Sequence, residues 1–331
     1  MTVVRPEIQR YLDTVYPGSE TAPIASGASI RRFYRVRTSE GRTLVLVDYG
    51  LPFDGETDDL RLGRVFREAG LRVAEILDAS AAVGCLLLED LGDVSLESAI
   101  LAADTDKDAA RRLLEQAVLL AAQVADRGTP VLARSDRRSG PALDAERFRF
   151  EMDFFLEHYV EGLLGCDSPP PELREALHAL ADRAADTPQR VMCHRDFHSR
   201  NLMLPPTGGM AMVDIQDARW GPDTYDLASL LRDAYIDIDE NWMAPLVDLY
   251  LSALDEPPAE GFGTRLDRVS AQRMIKALGT FGYQATVRHE TRYGDAVTRT
   301  LHRLQRLLPA FAETRPLHAL MTDASLLTPP T

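Results

Sequence analysis

A few polar residues near the middle of the chain have the types and spacing to do chemistry. A short apolar run, Val191-Met192-Cys193, delivers His194-Arg195-Asp196 into a polar stretch, and Asn201 follows five residues after the aspartate, giving H-x-D-x-x-x-x-N. Asn201-Leu202-Met203-Leu204 opens a second apolar run, Pro205-Pro206-Thr207-Gly208-Gly209 turns the chain, and Met210-Ala211-Met212-Val213 returns it to Asp214. A hairpin brings its two ends near each other, so Asn201 and Asp214 are expected to face one small volume. Two hard oxygen ligands suit Mg²⁺, which takes one or two side chains and keeps its other positions for phosphates and water. A loop carboxylate beside them, Asp196, is placed to orient a hydroxyl group and take its proton. Those are the parts that phosphoryl transfer to an alcohol requires. Asp217 is a further candidate for the metal, or a cap for a turn toward Trp220-Gly221-Pro222, and His194 reads as a packing group for the loop.

The combination resembles the catalytic loop and metal-binding aspartate of protein-kinase-like phosphotransferases. Asp214 is followed by Ile-Gln-Asp in place of Phe-Gly, and the later Tyr225-Asp226-Leu227-Ala228 is similar to the aminoglycoside phosphotransferase superfamily. The fuller wording HRDFHSRNLM, then VDIQDARWGPDTYDLASLLRDAY, looks closest to the cell-wall amino-sugar kinases of that superfamily. These phosphorylate the anomeric hydroxyl of N-acetylmuramate and N-acetylglucosamine. The resemblance implies an α+β, two-lobed protein-kinase-like fold. A small antiparallel-sheet N-lobe, hinge included, would span residues 1–92, and a mainly helical C-lobe residues 93–331. It implies ATP and Mg²⁺, a small sugar as acceptor, and for Asp226 a role in bracing the catalytic loop, equally compatible with a helix cap. Glu89 and Leu91, in the hinge Glu89-Asp90-Leu91-Gly92, are expected to pair with adenine through their main chains. His198, Arg200 and Arg219 lie beside Asp196 or Asp214 in sequence and are the acceptor candidates, since an arginine suits bidentate contact with the lactyl carboxylate of N-acetylmuramate. Aminoglycoside, choline or homoserine as acceptor would keep the same chemistry. A nucleotide-binding pseudokinase serving as a partner module is the reading from a different class.

The elements that must position these residues are legible as periodicity. Pro6 to Tyr16 has helical spacing, and strands are expected around Ile24 to Val36, at Leu44 to Asp48, at Val73 to Leu77 and at Cys85 to Leu88. Gly27-Ala28-Ser29 is the candidate phosphate loop, because small residues let backbone N–H groups approach phosphate oxygens. The third strand should carry a lysine for the phosphates, yet the chain's two lysines are Lys107 and Lys276, and Asp48 stands near the expected place. Arg31 and Arg32 follow the small-residue loop, and alternation points them to opposite faces, so one of them is expected to reach the phosphates, with Arg35 in reserve. Leu60 to Ala69 is an amphipathic helix stopped by Gly70. Glu56, Asp58, Asp59 and Glu68 around it are expected on a solvated face. Beyond Gly92 the chain reads as helices, broken at Gly128-Thr129-Pro130, through to Tyr283.

With 331 residues, 45% hydrophobic and 27% charged, the composition is that of a globular protein large enough for two lobes. A net charge of −14 argues against a nucleic-acid surface, which needs a basic face to replace phosphate counterions. No apolar run of membrane-spanning length and no leader pattern is present, and Cys85, Cys166 and Cys193 lack paired spacing, so a reducing cytoplasm is the expected location. No protein partner is evident.

Overall fold

A computed structural model of the chain describes residues 4–24, 31–103, 105–136 and 140–322. Gly27, Ala28 and Ser29 of the expected phosphate loop lie outside them. By its contacts the chain divides into two units, Met1–Val94 with Met203–Gln216, and Ser95–Leu202 with Asp217–Thr331. The fold is α+β and two-lobed, with a five-stranded antiparallel sheet in the first unit and mostly helix in the second.

The first unit opens with α1 (Pro6–Val15), whose leading proline pre-sets the helical φ. Then come β1 (Glu20–Ile24), β2 (Arg32–Arg37), β3 (Thr43–Asp48), α2 (Asp58–Glu68), β4 (Ile76–Ser80) and β5 (Cys85–Glu89). The spatial order of the sheet is β1-β2-β3-β5-β4. Alternation turns Tyr34 and Val36 of β2 and Leu44 and Leu46 of β3 to one face, where they form a buried cluster with Ile8 and Leu12 of α1. Burying each such aliphatic side chain contributes about 1.5–3 kcal/mol. Asp48 sits buried at the end of β3, and its Oδ1 accepts from Arg5 Nε and Nη2 at 2.9 and 2.7 Å and from the Gly50 N–H at 2.8 Å. The carboxylate expected near the lysine's place is thus paired to the residue that precedes α1.

In the second unit, α3 (Leu96–Ala102) is followed by α4 (Lys107–Gln123) and α5 (Thr129–Arg134). The break expected at Gly128-Thr129-Pro130 is instead a π-helical turn, Val124–Gly128, running directly into α5. Proline is tolerated there because the first turn of α5 needs no N–H from it. Next are α6 (Ala145–Phe155), which continues as a π-helical segment over Leu156–Leu163, and α7 (Pro171–Ala185). The strand β6 (Arg190–Cys193) leads to the ribbon of β7 (Leu202–Met203) and β8 (Ala211–Met212), which turns through Gly208 and Gly209, both at positive φ. Met212 belongs to the first unit. There it bridges Val73, which explains why the fourth strand begins at Ile76 rather than at Val73. Trp220-Gly221-Pro222, expected as a turn, lies in β9 (Arg219–Pro222), antiparallel to β6. Gly221 makes that pairing possible, since a Cβ there would stand 2.8 Å from both Cys193 Sγ and Leu143 Cδ1.

The remaining helices are α8 (Tyr225–Leu231), α9 (Glu240–Ala253), α10 (Phe262–Thr286), α11 (Gly294–Leu307) and α12 (Arg315–Thr322). The 25-residue α10 packs against α6, α7, α8, α11 and the π-helical segment. Its closest approach runs along two glycines, where a Cβ on Gly279 would meet Phe155 Cα at 2.9 Å and one on Gly282 would meet His158 O at 2.4 Å. Among the described residues no helix is long and apolar enough to cross a membrane. All three cysteines are free; Cys85 and Cys193 are buried and Cys166 is half-buried.

Replacing Gly282 by alanine should gain about 0.5–1 kcal/mol of helix propensity but lose more, about 1–3 kcal/mol, to overpacking against backbone that cannot rotate away. Gly263 lies on the same helix, and a Cβ added there would meet nothing within 4 Å, so the same change should gain stability. Urea unfolding of the two variants should move the midpoints in opposite directions.

Candidate active site

The loop after β6 is shaped by two carboxylates from the helix that follows β9 and its C-terminal turn. Asp226, in the first turn of α8, accepts from the His194 N–H at 2.6 Å and the Arg195 N–H at 3.1 Å. Arg195 is held at φ 82°, in the left-handed region that non-glycine residues rarely adopt. Asp233 accepts from the Ser199 N–H at 2.6 Å and the Tyr235 N–H at 2.8 Å. His194 is fully buried, its ring edge-on to Phe197 at 5.9 Å. β6 is steadied on its other side by Thr129, whose hydroxyl accepts from the Met192 N–H at 2.8 Å.

Within this frame Asp196 presents a side chain that is 22% exposed. Its Oδ1 lies 2.8 Å from Lys276 Nζ and 3.6 Å from Arg273 Nη1, both on α10. Burial alone would raise the Asp196 carboxyl; the cations Lys276, Arg273 and Arg195 outweigh it and hold the group well below the usual carboxylate range. Arg273 is itself anchored by the Tyr225 and Ser229 hydroxyls, each at 2.7 Å. Asn201 donates through Nδ2 to Asp196 O at 2.9 Å, which fixes the amide and leaves its Oδ1 as the open acceptor. His198 packs edge-on against Tyr235 at 5.4 Å, and burial pushes its imidazole below its ordinary value against the pull of Asp233 and Asp196. Arg200 is paired in parallel with Glu97 at 2.8 and 2.9 Å and lies 3.6 Å over the Tyr235 ring. Arg219 and Arg195 both hold Asp217 Oδ1, at 2.7 and 2.8 Å. The two arginines expected at the acceptor therefore already have anionic partners in this unit.

The first unit carries the other candidates. Arg31, just before β2, reaches both oxygens of Asp59 with Nη1 at 3.0 Å and Asp214 Oδ1 with Nη2 at 3.2 Å. Its guanidinium stacks 5.6 Å from the Phe33 ring centroid and 5.8 Å from that of Tyr49, and the Tyr49 hydroxyl donates to Asp59. Burial and Asp59 raise the Tyr49 phenol, which keeps its proton. Arg32 is exposed and makes no ion pair among the described residues. Arg35 is committed to Asp90 at 2.7 Å and Asp93 at 2.8 Å. Asp59, expected on a solvated face, is instead the anchor of Arg31, a correction that follows from its place in the first turn of α2 beneath the start of β2. Asp214, at φ 63°, also accepts from Gln216 Nε2 at 2.8 Å through Oδ1, and its side chain is 45% exposed. In the hinge, the Glu89 N–H is taken by Glu75 O at 2.8 Å, whereas the Leu91 N–H has no partner among the described residues.

Each of the two expected metal ligands, taken by itself, suits a hard cation. Asn201 keeps an amide oxygen open, and Asp214 keeps Oδ2 free of hydrogen bonds among the described residues. Asn201 falls in the second unit and Asp214 in the first. No group of three His, Cys, Asp or Glu side chains that could hold a metal by itself occurs among the described residues. Lys276, Arg273 and Asp59 were not found from the sequence. For Lys276 a signal existed, as one of only two lysines in the chain, set between the apolar pairs Met274-Ile275 and Ala277-Leu278.

A model of the phosphotransferase enzyme family matches residues 20–262. The chain is 30% identical over 334 residues to an N-acetylmuramate/N-acetylglucosamine kinase of Neisseria meningitidis serogroup B, covering 96% of this chain and 95% of that one. A kinase of the same name from Pseudomonas aeruginosa is 30% identical over 280 residues, 80% of this chain and 77% of its own. Among solved structures, choline kinase LicA from Streptococcus pneumoniae superposes with a TM-score of 0.62 at 14% identity, over 92% of this chain and 98% of that one. That likeness establishes the fold as protein-kinase-like.

The Asp226 clamp generates a test. Asp226→Ala leaves two backbone N–H groups without an acceptor, at about 1–3 kcal/mol for each one buried. The urea midpoint should fall with the m-value unchanged, and Asp226→Asn, which keeps one acceptor, should lose less. An unshifted midpoint in the alanine variant would mean that the loop holds its shape without the clamp.

Proposed function

The chain belongs to the phosphotransferase enzyme family, and we propose that it is an ATP-dependent kinase that phosphorylates the anomeric hydroxyl of N-acetylmuramate, N-acetylglucosamine or both. The observation that carries the reading is Asp196, a partly exposed carboxylate kept ionised by Lys276 and Arg273 on a loop clamped through its backbone. The amino-sugar acceptor is supported by similarity along nearly the whole chain to kinases of that name. In this reading Asp196 orients the acceptor hydroxyl and accepts its proton as the bond to phosphorus forms. Asn201 and Asp214 hold Mg²⁺, with Asp217 as a further contributor. The ion, when bound, neutralises charge on the transferred phosphoryl group.

Arg31 takes the part of the missing strand lysine. Anchored by Asp59, it offers a guanidinium to the triphosphate, with the Gly27-Ala28-Ser29 loop supplying backbone N–H groups and Arg32 left at the surface. Such a cation answers the absence of the strand lysine, the feature that favours a pseudokinase. The Leu91 N–H and the Glu89 carbonyl serve adenine. His198 lines the acceptor side. For Arg200 or Arg219 to receive a lactyl carboxylate, the ligand would have to displace Glu97 or Asp217, since both pairs are made in its absence.

Two measurements test this. Incubation with Mg-ATP and each N-acetyl amino sugar should give a sugar 1-phosphate, identified by the phosphorus coupling of the anomeric proton in NMR. Phosphate on another hydroxyl, or turnover of choline or an aminoglycoside alone, would defeat it. Asp196→Asn should lower kcat by about 10²–10⁴-fold while calorimetry finds the nucleotide affinity little changed; near-normal turnover would remove Asp196 from the mechanism.

A further inference from the structure

Lys276 is the least expected group near Asp196. It projects from α10, eighty residues along the chain, and its side chain is only 18% exposed. A cation on the carboxylate that must take a proton weakens that base, so the contact works against catalysis unless the lysine has a second task. Burial of the ammonium also costs free energy that a single hydrogen bond does not return.

The unmet capacity shows what that task is. An ammonium carries three donors, and among the described residues Lys276 uses one, to Asp196 Oδ1. Its neighbour Arg273 has Nη1 and Nη2 engaged by Tyr225, Ser229 and Asp196, and its Nε, though unpartnered, is buried away from solvent, so it does not compete for a ligand. Asp196 is the shared anionic partner of Lys276 and Arg273. A second anion on the same ammonium would stand against the Asp196 carboxylate and be repelled by it. Neutral oxygens, such as a ring ether, a hydroxyl or an amide carbonyl, satisfy the remaining donors without that repulsion. An N-acetyl amino sugar offers such oxygens on both sides of its anomeric hydroxyl: the ring oxygen on one, and the N-acetyl carbonyl on the neighbouring carbon on the other.

We infer that Lys276 is a catalytic, acceptor-contacting residue: its ammonium holds Asp196 and at the same time donates to a neutral oxygen of the sugar next to the reacting hydroxyl. The inference rests on the functional reading above and adds to it a specificity determinant on α10. Lys276 then acts as a ruler between base and substrate, tying the position of the sugar to that of the carboxylate.

The test compares wild type, Lys276→Met and Lys276→Arg as full chains, with N-acetylglucosamine and N-acetylmuramate as acceptors. A hydrogen bond from a charged donor is worth about 1.5–3 kcal/mol, so Lys276→Met should raise the acceptor KM by about tenfold or more and lower kcat as well. The affinity for the ATP analogue AMP-PNP should stay within about twofold, and Lys276→Arg should restore part of the acceptor affinity. A fall in kcat with the acceptor KM unchanged would reduce Lys276 to a residue that positions Asp196 and overturn the contact. A parallel loss of AMP-PNP affinity would place the lysine on the phosphates and overturn it too. If the wild type phosphorylates neither sugar, the functional reading fails and the contact with it; if it does and Lys276→Met keeps both constants, the contact alone fails.

Discussion

Two consecutive backbone N–H groups, those of His194 and Arg195, end on one buried carboxylate, Asp226. Much of the second unit answers to that constraint. A loop that turns through a left-handed arginine is not a conformation a chain adopts unaided. Once it is imposed, Asp196 emerges at the exposed edge, Asn201 folds back on the Asp196 carbonyl, and Arg195 swings to Asp217. The buried carboxylate needs those donors as much as they need it, since burial raises its pKa and only the backbone hydrogen bonds and nearby cations oppose the rise. The clamp thus sets where the Asp196 carboxylate stands.

Arginine does most of the electrostatic work elsewhere, in a chain of two lysines. Arg31 shows why the residues are not interchangeable. A lysine offers one compact charge; the guanidinium spans Asp59 and Asp214 with different nitrogens while lying against two aromatic rings. That fork reaches in two directions from the residue before the second strand. The same versatility explains the pairs of Arg200 with Glu97 and Arg219 with Asp217, which keep guanidinium groups oriented in an otherwise acidic molecule.

The loop motif and the hairpin were legible because they are local: residues a few positions apart, flanked by apolar runs, whose geometry follows from chain connectivity. The sheet strands and the helices through α10 could be read from periodicity for the same reason. What escaped depends on sequence-distant packing. β9 looks like a turn because Gly221 and Pro222 are turn formers, and becomes a strand only because Cys193 and Leu143 leave room for nothing larger than glycine. The break at Gly128-Thr129-Pro130 looks sound by propensity, but a π-helical turn absorbs it and Thr129 pairs with β6. Asp59 carries no local signature, and Lys276 only its rarity as one of two lysines; each acquires meaning from a partner, Arg31 or Asp196, that tertiary structure brings to it. That the β8 strand joins the first unit through Val73 is equally invisible in sequence.

The glycine seam of α10 has a consequence for positional tolerance. Lys276 lies three and six residues from Gly279 and Gly282, or about 4.5 and 9 Å along the axis at 1.5 Å per residue. A helix is stiff over that span, so the depth to which the glycines let it settle against Phe155 and His158 also sets where the ammonium stands relative to Asp196. Misplacement of reacting groups by about 1 Å is enough to cost roughly 10²-fold in rate. On the role proposed for Asp196, the volume of a side chain on a buried seam would then be an adjustment on the reaction itself, with the helix as its lever.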